Sequence, residues 1–227
     1  MGRTYWGAFY TPDEVAMHAE PGDCWVSYLG DVYDITKVLR DNDGALVQPM
    51  LRAAGKDISH WFDEKTGDVK KWRDPVTNLE SYYCPMGNFL HINPVDPRSD
   101  FATDVAVPWW KDVGNRVGKL TAKIRRVRIK NVLTQQEHVL EVPQEETIKE
   151  IQERYMASNW HAASYTWKAL VVVEKTGEKE FVTLDMDKNL EENGVPDETP
   201  EFFKLDLDED YYIPVIHVYF NDDLTVA

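Results

Sequence analysis

The stretch from Cys24 to Gly55, CWVSYLGDVYDITKVLRDNDGALVQPMLRAAG, constrains the fold more than any other part of the chain. Trp25 to Leu29 and Val32 to Ile35 are two β-rich runs, and Gly30-Asp31 between them reads as the two-residue turn of an antiparallel hairpin. The pattern then changes. Thr36 is placed to cap a short helical turn carrying Val38 and Leu39, Asp41-Asn42-Asp43-Gly44 is a second turn, and a helical stretch from Ala45 to Ala54 ends at Gly55. Ile58, Trp61 and Phe62 follow at i, i+3 and i+4, a spacing that puts three large apolar groups on one helical face, with His60 off that stripe. Upstream, Thr11, Pro12 and Glu14 have the order of a capping box at a helix start, with His18 at the far end of that helix in a surface or capping position.

Trp25, Val26, Gly30, Val32, Tyr33, Asp34, Ile35, Thr36 and Leu39, followed one helix later by Ala54, Gly55, Asp57, Ser59 and Phe62, resemble the cytochrome b5-like domain in order and nearly in spacing. The resemblance implies that fold for residues 1–97, with Gly87-Asn88-Phe89-Leu90-His91-Ile92-Asn93-Pro94 as its closing strand. It also implies haem, whose iron takes two axial histidines in this family. Those two positions hold Asn42, where His-Pro-Gly-Gly would begin, and Gly67. Neither residue supplies the neutral nitrogen donor that a low-spin haem needs. His60 and His91 are the remaining histidine candidates for an unconventional ligand, with Cys84 and Tyr82 behind them.

Acidic residues outnumber basic ones 40 to 25, and a net charge of −15 excludes a general nucleic-acid binder, for which phosphate neutralisation is the main source of affinity. Cys24 and Cys84 lack metal-ligand spacing and point to a reducing cytosolic setting. No apolar run approaches the ~20 residues of a membrane span, so a soluble chain without membrane partner or signal peptide is expected.

Residues 98–122 read as an ordered linker containing Trp109-Trp110. Adjacent tryptophans seldom stay exposed, so they pack within the chain's own two-domain interface or meet a partner. The acid-free window from Arg116 to Lys130 holds seven basic residues. Its second half largely alternates, which predicts a strand with Ile124, Val127 and Ile129 inside and a slip near Arg126. Arg125, Arg126, Arg128 and Lys130 then form either a solvated face paired with the acidic C-terminal half or a docking stripe for an acidic partner.

The remainder reads strand (123–132), strand (137–142), helix (145–155), strand (165–174), strand (181–184) and strand (215–220). The helix is entered at Pro143-Gln144, with Thr147 too far inside to cap it. This ββαββ order resembles a ubiquitin-like β-grasp domain over 123–227, and the whole chain is an α+β protein. The Asp185 and Asp206 runs have 1-3-5 calcium spacing without the glycine and glutamate that complete such a loop. The motifs of common hydrolases and transferases are missing, and no small-molecule substrate is indicated.

Asp57 to Asp63 and His161 to Lys168 carry a closer, nearly whole-chain resemblance to a family of ciliary and flagellar proteins that join these two modules. It implies a non-enzymatic structural or assembly protein of the axoneme whose partners are radial spoke subunits and whose degenerate b5-like module is an interaction scaffold. The alternative it leaves open is a haem-binding redox sensor of ciliary beating.

Overall fold

The computed structural model describes residues 8–76, 78–92, 107–173 and 177–221. The chain divides into two compact units, Met1–Thr121 and Ala122–Ala227.

The first unit runs β1 (Phe9–Tyr10), α1 (Pro12–Met17), β2 (Ala19–Glu20), β3 (Asp23–Tyr28), β4 (Asp31–Asp34), α2 (Thr36–Arg40), α3 (Gln48–Arg52), a 3-10 turn at Ser59–Trp61, the small hairpin β5 (Lys71–Arg73) and β6 (Glu80–Tyr82), and β7 (Arg116–Leu120). The expected hairpin forms, with Trp25 opposite Asp34 and Tyr28 opposite Asp31. Its turn sits one residue earlier than Gly30-Asp31. Leu29 and Gly30 both take positive φ, 50° and 83°, as a tight hairpin requires, and this leaves Asp31 free to pair with Tyr28.

The predicted capping box closes α1: the Thr11 hydroxyl accepts the Glu14 N–H, and the Glu14 carboxylate accepts the Thr11 N–H. Thr36 does something other than cap. Its own N–H donates to the Asp34 carboxylate and its hydroxyl accepts the Cys24 N–H, both at 2.9 Å, so it stitches α2 to the hairpin. The Cys24 thiol is fully buried, and burial pushes its pKa up to about 12, with Asp34 and Asp23 adding to the rise.

Two expectations for this unit are corrected. Residues 87–92 form no closing strand: Gly87 (φ 105°) and His91 (φ 67°) take positive φ, outside the β region. The missing strand is β7, which lies between β1 and β4, parallel to the first and antiparallel to the second, in the order β1-β7-β4-β3-β2. Residues 107–121 therefore belong to this unit's fold and are no linker. The domain end near Pro97 and residues 98–106 lie outside the described residues. Gly118 of β7 meets the Ala8 carbonyl so closely that a Cβ would stand 2.4 Å from it.

The second unit runs β8 (Ile124–Asn131), β9 (Glu137–Pro143), α4 (Ile148–Tyr155), a 3-10 turn at Ala162–Ser164, β10 (Tyr165–Val172), β11 (Lys179–Thr183), α5 (Thr199–Lys204) and β12 (Val215–Phe220). Every strand falls close to its predicted place. The sheet order is β11-β10-β12-β8-β9, with β12 and β8 parallel at its centre and the other neighbours antiparallel. Ile148, Ile151 and Tyr155 of α4 are buried and share one core with Val127, Ile129, Trp167, Ile216 and Val218 of the sheet.

The start of α4 differs from its prediction. Thr147 is the N-cap, in a full capping box with Glu150. Glu146, which the sequence places inside the helix, is instead buried outside it, where it accepts two-pronged hydrogen bonds from Arg154 at 2.7 Å. Helix α5 was not anticipated, because a six-residue helix that buries none of its side chains leaves no apolar period to read.

Candidate functional site

Part of the motif shared with the b5-like domain is hydrogen-bonding scaffold. Asp57 accepts hydrogen bonds from the Ser27 and Ser59 hydroxyls, and Ser59 in turn accepts the Leu29 N–H at 2.9 Å. Gly55 gives its N–H to the Trp25 carbonyl at 2.7 Å and takes φ 73° against the backbone of Ala16. These bonds tie the 55–59 segment to the β3–β4 hairpin. None requires a cofactor.

The two axial positions are consumed by local structure in the same way. The Asn42 amide donates to the Val38 carbonyl at 2.9 Å and terminates α2. Gly67 has no side chain to offer. It sits at φ 64° in a loop where the Asp63 carboxylate accepts the N–H groups of Lys65 and Thr66 and the Asp63 carbonyl accepts that of Gly67. These backbone bonds hold the Asp63 carboxyl below its usual range. The donor set at these positions does not fit a bis-histidine haem.

Next to Gly67, Asp68 accepts the Lys111 ammonium at 2.6 Å and the Trp110 indole N–H at 3.2 Å, and the Lys111 bond leads in holding its carboxyl below the ordinary range. Trp109 and Trp110 are thereby drawn into the first unit's core, where both are buried. Their rings meet each other edge-on at 5.6 Å and contact Phe62 and Phe89 at 6.0 to 6.3 Å. The Tyr28 hydroxyl donates to the Trp110 carbonyl, and Asn115 donates to that of Trp109. The tryptophan pair is thus packing within this unit. It offers no exposed surface.

His60 and His91 stand differently. His60 is exposed at the middle of the 3-10 turn, edge-on to Trp61 at 6.1 Å. His91 is half-buried, and its Nδ1 accepts the Trp109 N–H at 2.9 Å. Burial lowers the His91 pKa, so its imidazole is neutral at physiological pH, with Nδ1 as acceptor and Nε2 as the protonated nitrogen. Cys84, half-buried, is raised by the same cause. Sequence reasoning missed the Asp63–Asp68 loop and its grip on the tryptophans, which bond across more than forty residues.

The β8 cations are split by the pleat. The register with β9 runs unbroken from Ile124 opposite Pro143 to Lys130 opposite Glu137, so the slip near Arg126 does not occur. Arg125 consequently shares the inner face with Val127 and Ile129, and Ile124 takes the outer one. The buried Arg125 guanidinium donates to the carbonyls of Val195 and Pro196 at 3.0 and 2.8 Å. Burial is the main influence lowering its pKa. On the outer face Arg126 pairs with Glu141 and Asp210, and both Arg128 and Lys130 pair with Glu137. These pairs leave the outer-face cations Arg126, Arg128 and Lys130 largely neutralised within the chain.

Among the described residues no helix is long and apolar enough to cross a membrane. A family model described as a cytochrome b5-like Heme/Steroid binding domain matches residues 11–83. Plant cytochrome b5 from Borago officinalis is 41% identical over 77 residues, 34% of this chain and 54% of its own length. Cytochrome b5 domain-containing protein 1 of Xenopus laevis is 53% identical over 218 residues, 96% of each chain, and that of Homo sapiens is 49% identical over 96% of this chain and 91% of its own. Identity near one half over almost the whole length spans both units, and the chain belongs to the cytochrome b5 domain-containing protein 1 family.

Proposed function

We propose that the chain is a non-enzymatic structural protein of the axoneme in motile cilia and flagella, bound to radial spokes, in which the b5-like unit is an interaction scaffold. The observation that carries the scaffold role is the fate of the axial positions. Asn42 and Gly67 are both spent on backbone structure, while the hydrogen bonds of the Asp57 and Gly55 motif are kept. The second unit supports the two-module reading: its first and last strands lie parallel at the centre of the sheet and its main helix follows the first hairpin, which is the β-grasp arrangement of a ubiquitin-like domain. Affinity capture with the tagged full chain from detergent-extracted axonemes tests the proposal. Recovery of radial spoke subunits is expected, and the absence of any stable axonemal partner would overturn it.

A haem-binding redox sensor is the second reading, favoured by one observation. His91 uses only Nδ1 in the bond to Trp109, and its neutral imidazole is the form that ligates iron. Visible spectra of the full chain with added haem, before and after dithionite, separate the readings. A sharp Soret band with split α and β bands on reduction, lost in His91→Ala, supports the sensor; a spectrum of free haem leaves the scaffold.

A further inference from the structure

The second unit carries a groove of about 890 Å³ between the start of β8, the end of β10 and the 191–214 stretch that includes α5. Its wall is aromatic and exposed. Phe203 is 63% exposed, Tyr211 67% and Tyr212 52%, and Val172 of β10 lies at the opposite side 55% exposed. The wall is preformed, since Phe202 packs edge-on against Tyr211 at 5.8 Å and its carbonyl accepts the Leu207 N–H at 2.9 Å. Contiguous apolar surface of this kind marks interaction sites.

Charge selects the occupant. Most cations lining the groove are already engaged: Arg125 by two carbonyls, Lys123 by Asp197, Arg126 by Glu141 and Asp210. Lys179 has no acid partner among the described residues. Against it stand Glu198 and Glu209 in the lining, neither paired with a cation among the described residues. An apolar floor under an acid-rich rim repels acidic peptides, nucleic acid and anionic lipid. It also disfavours a second copy of a chain whose net charge is −15 and whose basic stretch is locked in β7 and β8.

We propose that this groove docks a basic amphipathic segment of another protein, with an aliphatic or aromatic side chain against Phe203 and Tyr212 and lysines or arginines facing Glu198 and Glu209. The inference goes beyond the scaffold role of the b5-like unit and stands whether or not that unit binds haem or a spoke. Aromatic anchors in a groove supply most of the affinity in such complexes, while rim charges set salt dependence and partner choice.

The test titrates a synthetic Lys/Leu/Trp amphipathic peptide of about 14 residues, and its Glu-for-Lys twin, into the isotope-labelled full chain. Amide shifts are expected at Leu170, Val172 and 198–212, with affinity falling as salt rises and with no response to the Glu twin. Phe203→Ala with Tyr212→Ala weakens binding about tenfold or more, and E198K/E209K weakens it severalfold and flattens the salt dependence. Both variants change exposed side chains, and an unchanged amide pattern elsewhere verifies their fold. Shifts spread over the acidic surface, indifference to Phe203 and Tyr212, equal binding of the Glu twin, or a concentration-dependent dimer abolished by F203A/Y212A would each overturn the proposal.

Discussion

The two units complete their cores by different means. In the second, alternation along β8, β10 and β12 and the stripe of α4 bring Val127, Ile129, Trp167, Ile216 and Ile151 together, so local period and core membership coincide. In the first, the hairpin and short helices are closed by Trp109 and Trp110, and the bonds of Trp110 to Asp68 and Tyr28 span 42 and 82 residues. The lesson is that a core built on periodicity is legible residue by residue, whereas one closed by a distant aromatic pair depends on contacts that no local pattern encodes.

The sharpest way to break this comparison is Trp109→Ala. Truncating a tryptophan 1% exposed among Phe62, Phe89 and Trp110 is expected to cost about 3–5 kcal/mol, read as a lowered denaturant midpoint for the first unit alone. A wild-type midpoint would show that the tryptophans are an appendage to the core. Trp167→Ala is expected to shift only the second unit's transition, which keeps the two cores distinguishable.

Arg125→Met tests whether the inward arginine of β8 is structural. Removing the guanidinium leaves the carbonyl of buried Val195, and that of Pro196, without these donors, at a cost of about 1–3 kcal/mol in urea unfolding. A neutral effect would return Arg125 to the surface stripe.

A smaller effect follows from His91. Burial sets its folded pKa below the ordinary 6.5, so the unfolded chain takes up a proton first as pH falls. The stabilising contribution is complete above about pH 6.5 and is lost as pH drops toward the folded value, where a protonated Nδ1 can no longer accept the Trp109 N–H. The first unit is therefore expected to unfold at lower denaturant at pH 5.5 than at pH 7.5, and His91→Gln, which keeps an acceptor without titrating, to flatten the difference. Equal slopes for the two proteins would remove His91 from the tryptophan lock.

Smallest of all should be Arg126→Ala, Arg128→Ala and Lys130→Ala. Their partners are partly exposed, and such pairs contribute on the order of 0–1 kcal/mol each. Thermal melting should barely register them singly. A larger loss would mean that the outer face of β8 is itself part of the fold.

Much of the fold was legible because its determinants are local. The β3–β4 hairpin, the α1 capping box, the strands of the second unit and the inner stripe of α4 each follow from spacing within a few residues. The same locality explains the errors. Thr147 reads as interior to α4 until the long-range burial of Glu146 against Arg154 moves the helix start, and Arg125 reads as solvent-facing until an unbroken register turns it inward. At the candidate site, the absence of ligating side chains at positions 42 and 67 is plain from residue identity alone. What holds those positions in place was not.

By itself, then, the chain's order of residues determined the b5-like hairpin and its scaffold motif, the ββαββ succession that follows, and the lack of an axial histidine pair. Only the tertiary structure decided that β7 enters the first sheet beside β1 and β4, that Trp109 and Trp110 lie in that unit's core, and that Arg125 is buried while its neighbours pair on the surface. The physical reason is range. Turns, caps and periodicity act over a few residues, while strand insertion and the burial of isolated tryptophans depend on which distant backbone and carboxylate groups are present to satisfy them.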